Sequence, residues 1–474
     1  MSVEAVLRAE LGAVIAPAGC GKTHLITEAL SLGNNKPTLV LTHTTAGVTA
    51  LRKRLARLSI PSRNAQITTI DGWALRIANA FSISCVMTTN PDNPREFYPQ
   101  LRSTVHRFVA SGALHDALKA SYSRVFVDEY QDCDEAQHSL IVAISAALPT
   151  VVFGDPMQCI FDFAGRMPLW DREVLTHFPV LITLNTPWRW NNAQAPVLGQ
   201  WILSTREALS RGEVINFHSC PNHVNYYLLS GNPTEDLRNQ QQVQNAILRA
   251  HPEDTLLIIG DSINAQSRHT YARGSYGTGV VEPVQLSDVV RTANIFDRVS
   301  GLELVDAVLD FAGTVMTNVE SAQTRRRVES ILNGRNRTVA TVLEQALCVL
   351  ANDSSKSNLL HAVQMVESKQ GVRVYRRAAY NALKDSISLT LAAPGRSVAE
   401  TASVIREQIR QQGDKRIPRR AIGSTLLLKG LEADHVLILN AAGMNPRHLY
   451  VALSRGAKTV SVFSRSPYAC CASS

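Results

Sequence analysis

A chain of 474 residues is long for one hydrophobic core and predicts about two to four domains. Hydrophobic residues at 45% and charged residues at 19% exclude a disordered chain, and a formal net charge of +8 with an isoelectric point near 9.1 is compatible with a polyanionic partner without requiring one. No stretch reaches the roughly 18 apolar residues of a membrane span, the N-terminus lacks a secretory pattern, and the 8 cysteines are scattered without a C-x-x-C pair. These features argue against a membrane protein, a zinc site and a disulfide framework, and for a reducing cytoplasm.

In chain order, the first third alternates strands and helices. An apolar run at 11–16 ends in a Gly-rich turn. A β-rich run at 38–42 precedes apolar residues at helical spacing over 45–58. Strands are expected at 123–127, ending in carboxylates, and at 150–153, ending in Gly154-Asp155. Polar residues at the carboxyl ends of apolar strands are the pattern of a doubly wound α/β sheet. Residues 81–120, with Pro91, Pro94 and Pro99, read as an insertion. A second α/β pattern is expected with strands at 180–184, 255–259, 424–428 and 435–439, interrupted by a mostly helical, arginine-bearing stretch over 301–410. The expected domains are therefore 1–180, then 181–300 together with 411–474, with 301–410 inserted.

The turn after the first strand reads Ala16-Pro17-Ala18-Gly19-Cys20-Gly21-Lys22-Thr23 and opens a helix carrying Leu25, Ile26, Ala29 and Leu30. Strand, glycine loop and helix N-terminus are what a Walker A loop needs: glycines let backbone N–H groups face phosphate oxygens, and the helix end adds partial positive charge. Lys22 is expected on the β/γ-phosphates and Thr23 on Mg²⁺, with Ala18, Gly19, Cys20, Gly21 and His24 completing the ATP contacts. Ala16 stands where the strict pattern has glycine. Further on, Val125-Phe126-Val127-Asp128-Glu129 is an apolar strand ending in two acids. Asp128 is expected to hold Mg²⁺ and Glu129 to polarise the attacking water.

Asp128-Glu129-Tyr130-Gln131-Asp132 matches the D-E-x-Q-D box of UvrD/Rep-type superfamily 1 helicases, and the chain resembles that family in further segments, in the family's order. Thr42-His43-Thr44-Thr45-Ala46 resembles motif Ia, and Thr68-Thr69-Ile70-Asp71-Gly72-Trp73-Ala74 motif Ib. Gly154-Asp155-Pro156-Met157-Gln158-Cys159-Ile160-Phe161 resembles motif III, and 184–189 motif IV. Asp261-Ser262-Ile263-Asn264-Ala265-Gln266-Ser267-Arg268 is similar to the N-A-Q-S-R segment. Leu428-Lys429-Gly430-Leu431-Glu432-Ala433-Asp434 and Tyr450-Val451-Ala452-Leu453-Ser454-Arg455-Gly456-Ala457 resemble motifs V and VI.

The resemblance implies an α/β fold of two RecA-like parallel sheets with shortened helical insertions, ATP in a cleft and single-stranded nucleic acid across the top. It implies that Gln158 senses the γ-phosphate, that Arg189 and Arg455 come from the second sheet as arginine fingers, and that Gly430 and Glu432 lie against the nucleotide, Glu432 at the ribose. It sets Thr42, His43, Thr69, Trp73, Phe161 and Phe163 along the nucleic acid. Aromatic faces for bases and hydroxyls for phosphates are what sequence-independent strand binding uses. Two basic clusters are further candidate contacts: Arg373, Tyr375, Arg376, Arg377 and Tyr380, and Lys415, Arg416, Arg419 and Arg420.

The chain departs from the family in several places. No adenine-reading segment precedes Leu11, His24 and Ala164 stand where arginines are usual, and His43 replaces an aromatic. Both insertions are short. In size and layout the chain is similar to the helicase-like subunit of the Gabija anti-phage defence system, which implies a nuclease partner. The expected function is a DNA-dependent ATPase acting as translocase or helicase, on single strands or DNA ends. The alternative is an ATP- and DNA-sensing switch subunit with little unwinding of its own.

Overall fold

The computed structural model describes residues 2–90, 93–161, 166–283, 286–412 and 418–470. Six strands build the first sheet: β1 (Leu11–Ile15), β2 (Thr38–Thr42), β3 (Ala65–Thr69), β4 (Arg124–Asp128), β5 (Thr150–Gly154) and β6 (Val180–Thr183), in the order β3-β2-β4-β5-β1-β6 and parallel throughout. An all-parallel sheet is stable when helices cover both faces, and the side-chain period of two divides these strands between two layers. Leu39, Leu41, Val125, Val127 and Val152 pack with Trp73, Leu101, Val105, Leu140 and Ile144. Val40, Phe126, Val151 and Phe153 point the other way, onto Leu25, Ile26, Leu51 and Leu55. The first layer is built by the helices Ile70–Ala80, Pro94–Ala110 and Glu135–Ser145, the second by Lys22–Ser31 and Thr45–Arg57.

The strand expected to open the second sheet at 180–184 instead closes the edge of the first. Val180, Ile182 and Thr183 pair with Ala13, Val14 and Ile15 across one register irregularity. Gly12 permits it: a Cβ there would lie 2.2 Å from the Leu181 side chain, so only glycine leaves room for that leucine against β1.

Two short antiparallel pairs, β7 (Ile215–Asn216) with β16 (Tyr468–Ala469) and β11 (Met316–Thr317) with β12 (Arg373–Val374), accompany the sheets. The second six-stranded sheet runs β10-β13-β9-β14-β15-β8. Its strands are β8 (Val224–Leu228), β9 (Leu256–Ile259), β10 (Gly279–Val280), β13 (Arg420–Gly423), β14 (Ala433–Ile438) and β15 (Gly456–Ser464). The strand expected at 424–428 lies earlier, at β13. Ser424 accepts a hydrogen bond from the Leu427 N–H (3.3 Å) and starts the short helix Thr425–Leu428, so a capping serine ends the strand that its apolar neighbours would otherwise extend. Both sheets and their helices make this an α/β fold of the kind that two RecA-like domains have.

Chain packing divides the molecule into two compact units, 1–229 with 434–436 and 441–474, and 230–433 with 437–440. In the second unit, the helices Gly301–Val315, Ser321–Leu332, Val342–Asn352, Lys356–Ser368, Arg377–Ala392 and Val398–Gln412 share a core of Leu304, Val308, Leu347, Leu359 and Leu383. This core corrects the reading of the first basic cluster as a strand contact. Tyr375, Arg376 and Tyr380 are buried, and Arg376 is held by Glu282 (2.6 and 3.1 Å) and Asp288 (3.1 Å). Arg377 pairs with Glu367 and Arg419 with Glu253 (3.1 Å), while Lys415 and Arg416 lie outside the described residues. No helix among the described residues is long and apolar enough to cross a membrane.

Within the first unit, the helix Pro94–Ala110 is fastened by Arg102. Its guanidinium bonds both oxygens of Asp71 (2.7 and 2.6 Å) and also Asp134, the residue that caps Glu135–Ser145. Burial opposes the charge on Arg102, but the carboxylates prevail and raise its pKa. Removing one partner of a mostly buried pair strands the others. Arg102→Ala is expected to lower unfolding stability by about 2–3 kcal/mol after allowance for partial exposure, measurable by urea denaturation.

Candidate nucleotide and nucleic-acid site

The loop between β1 and the helix Lys22–Ser31 turns on Gly19 (φ +71°) and Gly21 (φ +92°), backbone states that glycine adopts without strain. Gly19 is needed for space as well: a Cβ there would lie 2.8 Å from the Trp190 ring and 2.9 Å from Arg189 Cβ. Its carbonyl accepts a hydrogen bond from the Arg189 N–H (3.1 Å). The segment Trp188–Asn192 is thereby docked on the loop.

Lys22 projects to the carboxyl end of β4. Its Nζ is 2.8 Å from Asp128 Oδ1 and also pairs with Glu129. Burial disfavours the ammonium, but the two carboxylates outweigh it and raise the lysine pKa. Burial likewise pushes the Asp128 carboxyl above the usual range, opposed by Lys22 and aided by repulsion from Glu129. Glu129 sits at φ +54°, a left-handed state rare outside glycine, where β4 turns into the short helix Tyr130–Asp132. Register aligns three strand ends: Thr42 lies across from Thr69 on β3 and from Asp128 on β4.

A chain of hydrogen bonds leads onward. The Gln131 amide donates to Glu129, and its oxygen accepts from the Asp155 N–H (3.1 Å). The Asp155 carboxylate accepts from Gln158 Nε2 (3.1 Å) and the Met157 N–H (3.1 Å). Gln158 Oε1 accepts from Arg455 Nη2 (3.5 Å). Arg455, 2% exposed, sits between the helix Pro446–Leu453 and β15. Arg189 donates to the Ser454 carbonyl (2.6 Å), and Trp190 Nε1 to that of Gly456 (2.8 Å). Arg189 thus meets the phosphate loop at Gly19 and Arg455 meets Gln158, both inside the first compact unit. Arg189 follows β6, an edge strand of the first sheet, so its expected origin in the second sheet is corrected.

Three residues that the sequence analysis did not single out join the site. Gln131 was quoted inside its motif without a role. The fully buried Tyr450 accepts a hydrogen bond from the Ala18 N–H (2.9 Å), and burial raises its phenol well above the ordinary value. Arg206, on the helix Pro196–Ser210, grips Asp155. Its only signal is a cation in the stripe of Leu198, Ile202 and Leu209.

The strand-side residues divide. Thr69 caps the helix Ile70–Ala80 by accepting from Gly72 (2.9 Å), and Thr42, 1% exposed, keeps a buried hydroxyl at the end of β2. The half-buried His43 lies 6.1 Å from the Phe161 ring. Trp73 is corrected: it is fully buried in the helical layer, where its ring packs rather than stacks on a base. Phe163 and Ala164 lie outside the described residues. His24 is exposed beside Glu28 (3.7 Å). Gly430 (φ +81°) and Glu432 lie in the second unit, between the helix Thr425–Leu428 and β14.

A glycine loop thus faces an acidic strand end. Residues 1–164 match the AAA domain family, which points to a P-loop NTPase domain over this segment. The comparison with curated proteins gives no match.

Cys20 reports on the loop's packing. Burial, with repulsion from Asp155, pushes its thiol up to about 12 against the opposing pull of Arg189 and Arg206. A raised thiol pKa keeps the unreactive protonated form far above neutrality. Iodoacetamide at pH 8 is therefore expected to leave Cys20 unmodified in the folded protein and to label it after denaturation. Mass spectrometry would read this, and rapid labelling of the native chain would contradict the packing.

Proposed function

We propose that the protein is a nucleic-acid-dependent ATPase that moves along or unwinds DNA. The observation that carries the reading is the Lys22–Asp128–Glu129 cluster beside a glycine loop on which Arg189 is docked, in the same compact unit as the bonded pair Gln158 and Arg455. Phosphoryl transfer needs positioned charge more than covalent chemistry, and this set has a cation for the phosphates, acids for metal and water, and fixed guanidiniums for the developing charge. AAA domains of this kind are found in UvrD/Rep-like helicases, and the ordered motifs Ia, III and VI support the same activity.

The donor set suits Mg²⁺: the Thr23 hydroxyl and the Asp128 carboxylate are hard oxygen ligands, and Asp128 and Glu129 together exceed the single charge of Lys22. Bound there, Mg²⁺ would neutralise phosphate charge. Lys22 would exchange its carboxylate partners for phosphate oxygens, leaving Glu129 able to accept a proton from water. Gln158, tied to Arg455 on one side and three residues from Phe161 on the other, would couple the nucleotide to the strand face formed by Thr42, His43, Thr69 and Phe161.

One observation favours the second reading, an ATP- and DNA-sensing switch. With Trp73 buried, the strand face has one aromatic platform fewer, and base stacking supplies about 1–3 kcal/mol per base. In either reading the partner is DNA. The compact layout adds a nuclease subunit and a role in anti-phage defence to the proposal.

The test is ATP turnover by the purified chain with and without single-stranded DNA. Turnover stimulated by DNA is expected, and Glu129→Gln should reduce kcat by about 10²-fold or more while still binding nucleotide. Retained turnover in Glu129→Gln would remove that residue from catalysis. Turnover indifferent to DNA would count against the nucleic-acid motor. Strand separation by the isolated chain would reject the pure switch.

A further inference from the structure

Resting on the ATPase reading above, we propose that Arg206 is a positioning residue for nucleotide hydrolysis: its guanidinium holds the Asp155 carboxylate that orients the Gln158 amide toward Arg455. Nε and Nη2 of Arg206 both reach Asp155 Oδ1, at 3.0 and 2.7 Å. The Asp155 side chain is fully buried and the Arg206 side chain 14% exposed. The other carboxylate oxygen, Oδ2, accepts from Gln158 Nε2 at 3.1 Å. Oδ1 is thus held by Arg206 together with the Met157 N–H (3.1 Å) and Oδ2 by Gln158, so Arg206 supplies the side-chain cation of the set that fixes the carboxylate and, through it, the Gln158 amide.

The same carboxylate lies at a junction. Its residue's N–H is bonded to Gln131, which bonds Glu129, and its electrostatic neighbours include Cys20 of the glycine loop and Tyr450, whose hydroxyl receives the Ala18 N–H. Asp155 is the carboxylate that the Arg206 guanidinium reaches from the apolar stripe of its helix. A buried carboxylate without its cation would protonate or turn, and either change moves the amide it holds. A shift of about 1 Å in a positioning group costs on the order of 10²-fold in rate.

Arg206→Gln and Arg206→Lys test the proposal, with kcat and KM for ATP measured with saturating single-stranded DNA. Rates are taken per nucleotide-binding site, and melting temperature is followed in parallel. The expected result is a kcat lowered about 10- to 100-fold in Arg206→Gln with KM within about threefold of wild type. Arg206→Lys should recover part of the rate, because one ammonium can replace the charge but not the fork. Should Arg206→Gln fail to fold, the double variant Asp155→Asn with Arg206→Gln, which removes both charges of this pair, should show the same loss of kcat. A kcat per site equal to wild type, whatever the melting temperature, would overturn the proposal, as would a raised KM with unchanged kcat. A wild-type chain without turnover overturns the ATPase reading and this inference with it; an active wild type with an equally active Arg206→Gln overturns the inference alone.

Discussion

The site depends on one ammonium held between two carboxylates. Lys22 is mostly buried, and a buried charge is tolerable only when it is paired and hydrogen-bonded. Asp128 and Glu129 supply the pair because β4 ends beside the loop that follows β1, and β5 spaces the two strands at hydrogen-bonding distance from each. The parallel sheet, its helical layers and the left-handed turn at Glu129 all serve that placement. Lys22, Asp128 and Glu129 together carry one surplus negative charge, which suits a divalent cation.

A second layer of bonds connects this pair to the rest of the first unit. The docking of Trp188–Asn192 on Gly19, of Arg189 on Ser454, and of Tyr450 on Ala18 joins segments far apart in sequence around one loop. Several of these contacts are made by backbone groups or by a single buried phenol. Packed networks of this kind shift between discrete arrangements rather than bend continuously.

Much of this was legible in the sequence, for physical reasons that can be named. The glycine loop, the acidic strand end and β2 were readable because local rules govern them: short continuous apolar runs, glycines in the turn after a strand, and carboxylates at strand ends. The misplacements came from tertiary context. The edge position of β6 depends on the space at Gly12, and the early end of β13 on the Ser424 cap. Trp73 was read from a motif position, but the burial of its ring is decided by helices that pack over it. The basic cluster at 373–380 looked like a surface, yet Arg376 is neutralised by Glu282 and Asp288, which lie far from it in sequence. Arg206 carried only the weak signal of a cation on an apolar stripe.

The central claim is that the Lys22–Asp128–Glu129 cluster is a nucleotide-phosphate site. Calorimetric titration of the full chain with ATP and Mg²⁺, beside Lys22→Ala, tests it most directly. The account expects saturable binding to the wild type that depends on Mg²⁺, and an affinity about 10²-fold weaker in Lys22→Ala, a loss of about 2.7 kcal/mol. Equal affinity in the two proteins would contradict it.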